Sequence, residues 1–296
     1  MSIIIHKPGV QASIQDQGRW GYQHIGIPIG GSMDPVSMQL ANTICGNDPN
    51  DTVIEFTLQG ALIEFEQAIN FAVCGGGAVV TLNDSKIAFN QSIFAAAGSI
   101  LKWHPHPYGC RTYLAVEGGF AVVPELNSCS TYATAQLGGL DGKYLQAGQR
   151  IPINKKPSEK KENNPSALST VSVTIANEAL ISNNVTIKCY QGPEWDWFSP
   201  QAKEKFIGNT WTVANNSNRM GYRLSGAPLE RENKKELVST AVTRGIIQVT
   251  TAGEPIILMA DAQTIGGYPR IARVASTDIA TIAQCRPGTV LTFQLQ

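Results

Sequence analysis

The sequence predicts a mainly β protein with two β-rich lobes and a few short helices, on three observations. Short runs of alternating apolar and polar residues recur along most of the chain, separated by glycine, proline and asparagine. Helical signatures are few, and each has a start and a stop signal. The chain's 296 residues also suffice for two lobes, each with a core of its own.

Taken in order, DPVSMQLANTICGND (34–48) reads as the first helix. Asp34 caps it, Pro35 suits the first helical position, Val36, Leu40 and Ile44 recur at intervals of four, and Gly46 provides a left-handed stop. VTIKCY (185–190) alternates Val185, Ile187 and Cys189 with polar partners and predicts a half-buried strand. Ser199 and Pro200 repeat the helix start before QAKEKFIG. GIIQVTTAGEPIILMAD (245–261) predicts two strands around a turn at Ala252–Pro255, the second running into a polar, glycine-rich loop. Ser276 to Cys285 predicts a last helix ahead of Pro287, and LTFQLQ (291–296) a final strand.

The charged segment NKKPSEKKENNPSALS (154–169) has almost no large apolar side chain with which to offset its ordering entropy. It is expected to be a linker or exposed loop between an N-terminal lobe, 1–153, and a C-terminal β-barrel lobe, 170–296. One internal echo relates the lobes: RWGYQHIGIP (19–28) and RMGYRLSGAP (219–228) both fit RxGYxxxGxP. A duplicated β-unit and a chance match both remain open.

Composition narrows the function. Charged residues are 16% of the chain, against about 25% in typical globular proteins, and 23 basic residues balance 23 acidic ones. A broad basic face for nucleic acid is therefore not expected. The apolar run at the start is too short for a signal peptide, and no run approaches the roughly 18 residues of a membrane span. A cytoplasmic protein is expected, bound to neither membrane nor nucleic acid. Six well-spaced cysteines with no CxxC pair predict buried free thiols. Metalloprotease, GxSxG and P-loop motifs are absent. In the near miss GGLDGKY, Tyr144 stands where a phosphate loop needs a small hydroxyl. His104 and His106 have no nearby carboxylate or thiol to complete a metal set, so no metal is expected.

Two stretches concentrate polar groups where glycine permits close backbone approach. In QDQGRWGYQHIGIPIGGSMD (15–34), Gln15, Asp16, Arg19 and Tyr22 fall within eight residues. They offer a bidentate guanidinium for a carboxylate or phosphate, or merely a turn held by an Asp16–Arg19 pair. In DAQTIGGYPRIA (261–272), Asp261, Gln263 and Thr264 precede Gly266, Gly267 and Tyr268. Side chains and backbone N–H groups there suit an oxyanion or carboxylate, with an unliganded bulge or hairpin as the alternative. Glu55 is a lone carboxylate in the apolar strand VIEFTLQG. It either meets an arginine such as Arg19 or Arg219 or lies on the solvent face, and the solvent face is the preferred reading. QGPEWDWF (191–198) reads as core or oligomer interface.

These blocks, with LAVEGGF, LGGLDGKYLQAGQRI, NRMGYRLSG and LMADAQTIGGYPRIA, resemble from end to end a biotin-dependent carboxyltransferase family. It includes the C-type component of bacterial 5-oxoprolinase, allophanate hydrolase subunit 2 (KipA-like) and half of the carboxyltransferase domain of urea carboxylase. The resemblance implies cyclophilin-like β-barrels and a companion cyclophilin-like protein, the B-type, KipI-like component. For a 5-oxoprolinase it implies a third, A-type component of the LamB/YcsF type.

The implied reaction opens the lactam of 5-oxo-L-proline to L-glutamate at the expense of ATP, used by the complex, after activation at the carbonyl oxygen. On this reading Arg19, Asp16 and Gln263 carry the chemistry. Arg19 or Arg219 receives the anionic group, and Gln263 with the Gly266 and Gly267 backbone receives the carbonyl. Gln15, Tyr22, Glu55, Asp261, Thr264 and Tyr268 complete the substrate contacts. Ala262 stands where relatives often carry arginine, which removes a charge from this loop. A urea- or allophanate-type carboxyltransferase is the alternative. It would need carboxybiotin from elsewhere, since this chain has no AMKM-like biotinylation site. A regulatory protein antagonising a histidine-kinase inhibitor is the third reading.

Overall fold

The computed structural model describes residues 1–154, 182–232 and 236–296. The chain divides into two units, Met1–Gly18 with Asp34–Ala176 and Arg19–Met33 with Asn177–Gln296. This corrects the expectation of a contiguous N-terminal lobe over 1–153. Residues 19–33 belong with the C-terminal unit because Gly30 N–H donates to the Ala260 carbonyl at 3.1 Å and Met33 is fully buried in that unit's hydrophobic cluster. The expected linker lies, beyond Asn154, outside the described residues.

In the first unit, β1 (Ser2–Pro8), β2 (Gln11–Gln15), helix α1 (Pro35–Ile44), β3 (Val53–Thr57), β4 (Ala61–Phe65) and β5 (Ile69–Gly75) are followed by β6 (Ala78–Leu82), β7 (Ser85–Lys86), β8 (Ile93–Ala95), β9 (Ser99–Pro105), β10 (Arg111–Val116) and β11 (Arg150–Pro152). They form two sheets, ordered β11-β1-β4-β9-β6-β7 and β2-β3-β10-β5-β8. Ile3, Ile5 and Ile63 of the one meet Ile14, Phe56 and Val73 of the other in a single buried cluster. α1 covers the second sheet's other face, burying Met38 and Ala41 against Ala72, Cys74, Tyr113 and Ala115. Asp34 caps α1 as expected, accepting from Ser37 N at 3.0 Å and Ser37 Oγ at 2.7 Å.

In the second unit come β12 (Asn184–Gln191), α2 (Pro200–Gly208), β13 (Trp211–Val213), β14 (Gly221–Ser225), β15 (Thr240–Ala241), β16 (Ile246–Val249), β17 (Pro255–Leu258), β18 (Ile265–Gly266), β19 (Arg270–Val274), α3 (Ile279–Gln284) and β20 (Val290–Leu295). Seven of these strands close a barrel ordered β12-β19-β16-β17-β14-β13-β20. The closing pair, β12 with β20, is parallel, with Val185 opposite Leu291 and Ile187 opposite Phe293. Val185, Ile187 and Cys189 are buried and their polar neighbours exposed, as the alternation predicts. Phe206 of α2 stacks on Phe293 with centroids 4.6 Å apart. Trp195 and Phe198 join this barrel core, so the aromatic run is core. All six cysteines are buried, and none is in a disulfide.

The internal echo is not a duplicated strand unit. Residues 221–225 are barrel strand β14, whereas 19–28 contain a turn and a short 3-10 helix, Gln23–Ile25. Both leading arginines nevertheless end up buried in the same unit.

Candidate functional site

Arg19–Met33 enters the second unit as a strap. Arg19 N–H donates to the Ile29 carbonyl at 2.6 Å, closing the strap on itself. Gly30 (φ +66°) then brings its backbone against the end of β17. A Cβ at Gly30 would lie 3.6 Å from Asp261 Oδ1 and 4.0 Å from Arg19 Nη1, in a conformation that side chains disfavour. The first polar stretch thus reaches the start of the second.

The join is an ion pair that is almost fully buried. Arg219 donates from Nε to Asp261 Oδ2 at 2.8 Å and from Nη2 to Oδ1 at 2.9 Å. Nη2 also donates to the Gly31 carbonyl at 2.6 Å. The Arg219 carbonyl in turn accepts from Asp261 N–H at 2.9 Å. Arg244 extends the clamp by donating to the Ser32 and Met33 carbonyls. Arg19 and Arg219 are 0% and 3% exposed. The Arg219 side chain, expected to receive an anion, holds the strap to the barrel, its fork filled by Asp261 and Gly31, and Arg19 is enclosed. Solvent meets their neighbours, since Trp20 and Met220 are exposed.

Beyond Asp261 the chain surfaces. Gln263 and Gly267 are exposed, Ile265 and Tyr268 largely so. Thr264 is buried and its carbonyl accepts from Val242 N–H at 3.0 Å. β18 pairs with β15, Gly266 opposite Thr240. Tyr22, half-buried, precedes the strap's 3-10 turn. Gln263 Nε2 donates to Oε1 of Gln248, a buried side chain of β16, at 3.2 Å. At the far end of the loop, Arg270 donates from Nε and Nη2 to the two carboxylate oxygens of Glu194, both at 2.7 Å. Burial works to raise the Glu194 pKa, but the Arg270 hydrogen bonds and charge together outweigh it and hold this carboxyl below its ordinary range.

Three expected site residues lie in the first unit. Asp16 accepts from Gly18 N–H, the Ser128 and Ser130 hydroxyls and Cys129 N–H, so its carboxylate orders a turn. Gln15 is buried and donates to Ser13 Oγ at 2.9 Å.

Glu55 corrects the preferred solvent-face reading, because it is 2% exposed. It lies opposite Tyr113 in the sheet, on the face that α1 covers. The Tyr113 hydroxyl donates to Glu55 Oε2 at 2.7 Å, and Arg111 Nε lies 3.7 Å from Oε1. Burial first, then the carboxylates of Glu55 and Asp34, push the Tyr113 phenol well above its usual pKa, so it remains a donor. Arg111 is thus an arginine beside Glu55 that the sequence reading did not name.

Sequence reasoning missed Gln248, Glu194, Arg244 and the pairing role of Arg270. A signal existed for Gln248, a lone amide in the apolar run GIIQV. None existed for Arg244, which donates to backbone carbonyls more than 200 residues away. GGLDGKY folds as a turn, with Gly142 N–H on the Gly138 carbonyl at 2.8 Å and a bridge between Leu140 and Lys143. No helix follows it among the described residues up to Asn154, where a phosphate loop would need one at once. A cleft of about 580 Å³ in the first unit is lined by His6, Leu62 and Lys102 and includes none of the expected site residues.

Residues 25–295 match the carboxyltransferase domain, subdomain A and B. The chain is 37% identical over 284 residues to the C-type component of Haemophilus influenzae 5-oxoprolinase, covering 96% of this chain and 88% of that one. It is 36% identical over 289 residues to the C-type component of Escherichia coli 5-oxoprolinase, covering 98% and 89%. Among solved structures, K. lactis urea amidolyase matches with a TM-score of 0.87 and 31% identity over 99% of this chain. This chain spans only 18% of that much longer protein.

Proposed function

Because the chain belongs to the carboxyltransferase-domain family, subdomains A and B, we propose that it is the C-type component of a 5-oxoprolinase complex. That complex hydrolyses the lactam of 5-oxo-L-proline to L-glutamate with ATP. One observation carries this reading. The likeness to two bacterial 5-oxoprolinase components of this type runs along nearly the whole of both partners, 88% and 89% of the relatives' length. The likeness to urea amidolyase covers 18% of a multi-part protein.

A lactam resists water because its amide is resonance-stabilised. ATP, supplied within the complex, provides the phosphoryl group that activates the carbonyl oxygen. The task of this chain is to hold the ring and to stabilise charge on that oxygen. The surfaced loop suits that task. Gln263 meets the amide, the exposed Gly267 backbone faces the carbonyl side, and Tyr268 packs on the ring. Arg219 and Asp261 fix the loop's base instead of touching substrate, so the loop is preorganised. The companion A-type and B-type components supply the remaining surfaces. Six buried thiols fit a reducing cytoplasm, and no helix among the described residues is long and apolar enough to cross a membrane.

Co-expression with the A-type and B-type components tests the reading. The assembled complex should release glutamate only when 5-oxoproline and ATP are both present. Gln263→Met should lower kcat/KM about tenfold, the loss of one hydrogen bond of about 1.5 kcal/mol. An assembled complex without turnover overturns the function. Turnover indifferent to Gln263→Met overturns the site. Urea-type carboxyl transfer is the second reading, favoured by the urea amidolyase likeness. Carboxylation of urea from carboxybiotin by the same preparation would establish it instead.

A further inference from the structure

We propose that Gln248 is a positioning residue: it turns the Gln263 carboxamide so that its Oε1 faces the ligand and accepts the N–H of a cyclic amide. The proposal rests on the lactam reading above. β16 places Ile247 and Val249 in the barrel core, so strand alternation puts Gln248 on the outer face of the wall. It is 1% exposed there.

Its amide direction is dictated by chemistry. A backbone carbonyl only accepts, and the Tyr268 carbonyl lies 3.1 Å from the Gln248 amide, so the group facing it is Nε2. Oε1 is thereby turned to Gln263 and takes its Nε2 at 3.2 Å. Flipping either amide would set acceptor against acceptor or donor against donor. Gly266 closes the clamp, because a Cβ there would lie 2.7 Å from Gln248 Nε2. Among the described residues Gln263 Oε1 accepts no hydrogen bond, and Gln263 is exposed. The relay from Tyr268 through Gln248 to Gln263 therefore presents an acceptor outward. This revises the expectation that Gln263 binds the lactam carbonyl.

The matched probes are 5-oxoproline and 5-oxotetrahydrofuran-2-carboxylate, the lactone in which a ring oxygen replaces N–H. Titration calorimetry on the assembled complex should show the lactone binding at least about tenfold more weakly, since two acceptors then face each other. Gln248→Met frees Gln263 to turn its N–H₂ outward. The discrimination should fall to about the Gln263→Met level, and Gln248→Met added to Gln263→Met should change it no further. Equal weakening of both ligands by Gln248→Met, with discrimination intact, makes the residue merely structural and overturns the proposal.

Side-chain amide hydrogen exchange of Gln248 is a second readout, independent of ligand. Slow exchange is expected, and exchange at the rate of an exposed glutamine overturns the relay. A wild-type complex that binds neither ligand while Gln248 exchanges slowly overturns the lactam reading and the ligand assignment, but not the relay.

Discussion

Arg219 shows why a charged residue in a promising motif does not have to meet a ligand. Its guanidinium is desolvated, and its Nε and Nη2 hydrogen bonds go to Asp261 and Gly31. Breaking such a pair leaves a buried charge uncompensated, which costs about 3–5 kcal/mol. Arg219→Met should lose that much stability in urea denaturation. Arg219→Lys should recover little of it, because an ammonium cannot fork a carboxylate. The less buried Glu194–Arg270 pair carries a pH signature. The lowered Glu194 pKa means its contribution is present above the unfolded-state value and is lost as pH falls through the folded-state value. The stability gap between wild type and Arg270→Gln should therefore narrow on acidification, as denaturation midpoints at several pH values would show.

At the scale of elements, what could be read from the sequence was what local chemistry determines. Asp34–Pro35 and Ser199–Pro200 mark helix starts because an oxygen acceptor and a ring with preset φ satisfy the first turn wherever they occur. Ser199→Ala, which removes the acceptor for Ala202 N–H, should cost about 1 kcal/mol by thermal melting.

Strand alternation was equally legible in β12 and β20. It misled for Glu55, because a strand covered on both faces has no solvent side, and the cover is a helix distant in sequence. The strap could not be read at all, since nothing in IGGSM (29–33) states that its partners lie at 219, 244 and 260. The two polar stretches were identified correctly as places where backbone approaches closely. Which of their side chains surface depends on long-range pairing. Gly266→Ala makes that dependence measurable: its Cβ would displace Gln248 and should cost about 1–3 kcal/mol by overpacking.

At the scale of the whole molecule, the barrel unit is discontinuous in sequence. A fragment spanning 177–296 lacks Met33 of its own core and the Gly31 acceptor of Arg219. Expressed alone it should lose near-ultraviolet dichroism, and the same fragment with residues 19–33 fused to it should regain the signal. The family resemblance was readable from end to end because its motif blocks include both the strap and the barrel segments that hold it. The most direct test of the central claim is glutamate release by the chain reconstituted with its A-type and B-type partners, followed with and without ATP. The account predicts release that requires 5-oxoproline, ATP and this chain together. A fully assembled complex that leaves 5-oxoproline intact while hydrolysing or carboxylating another substrate would contradict it.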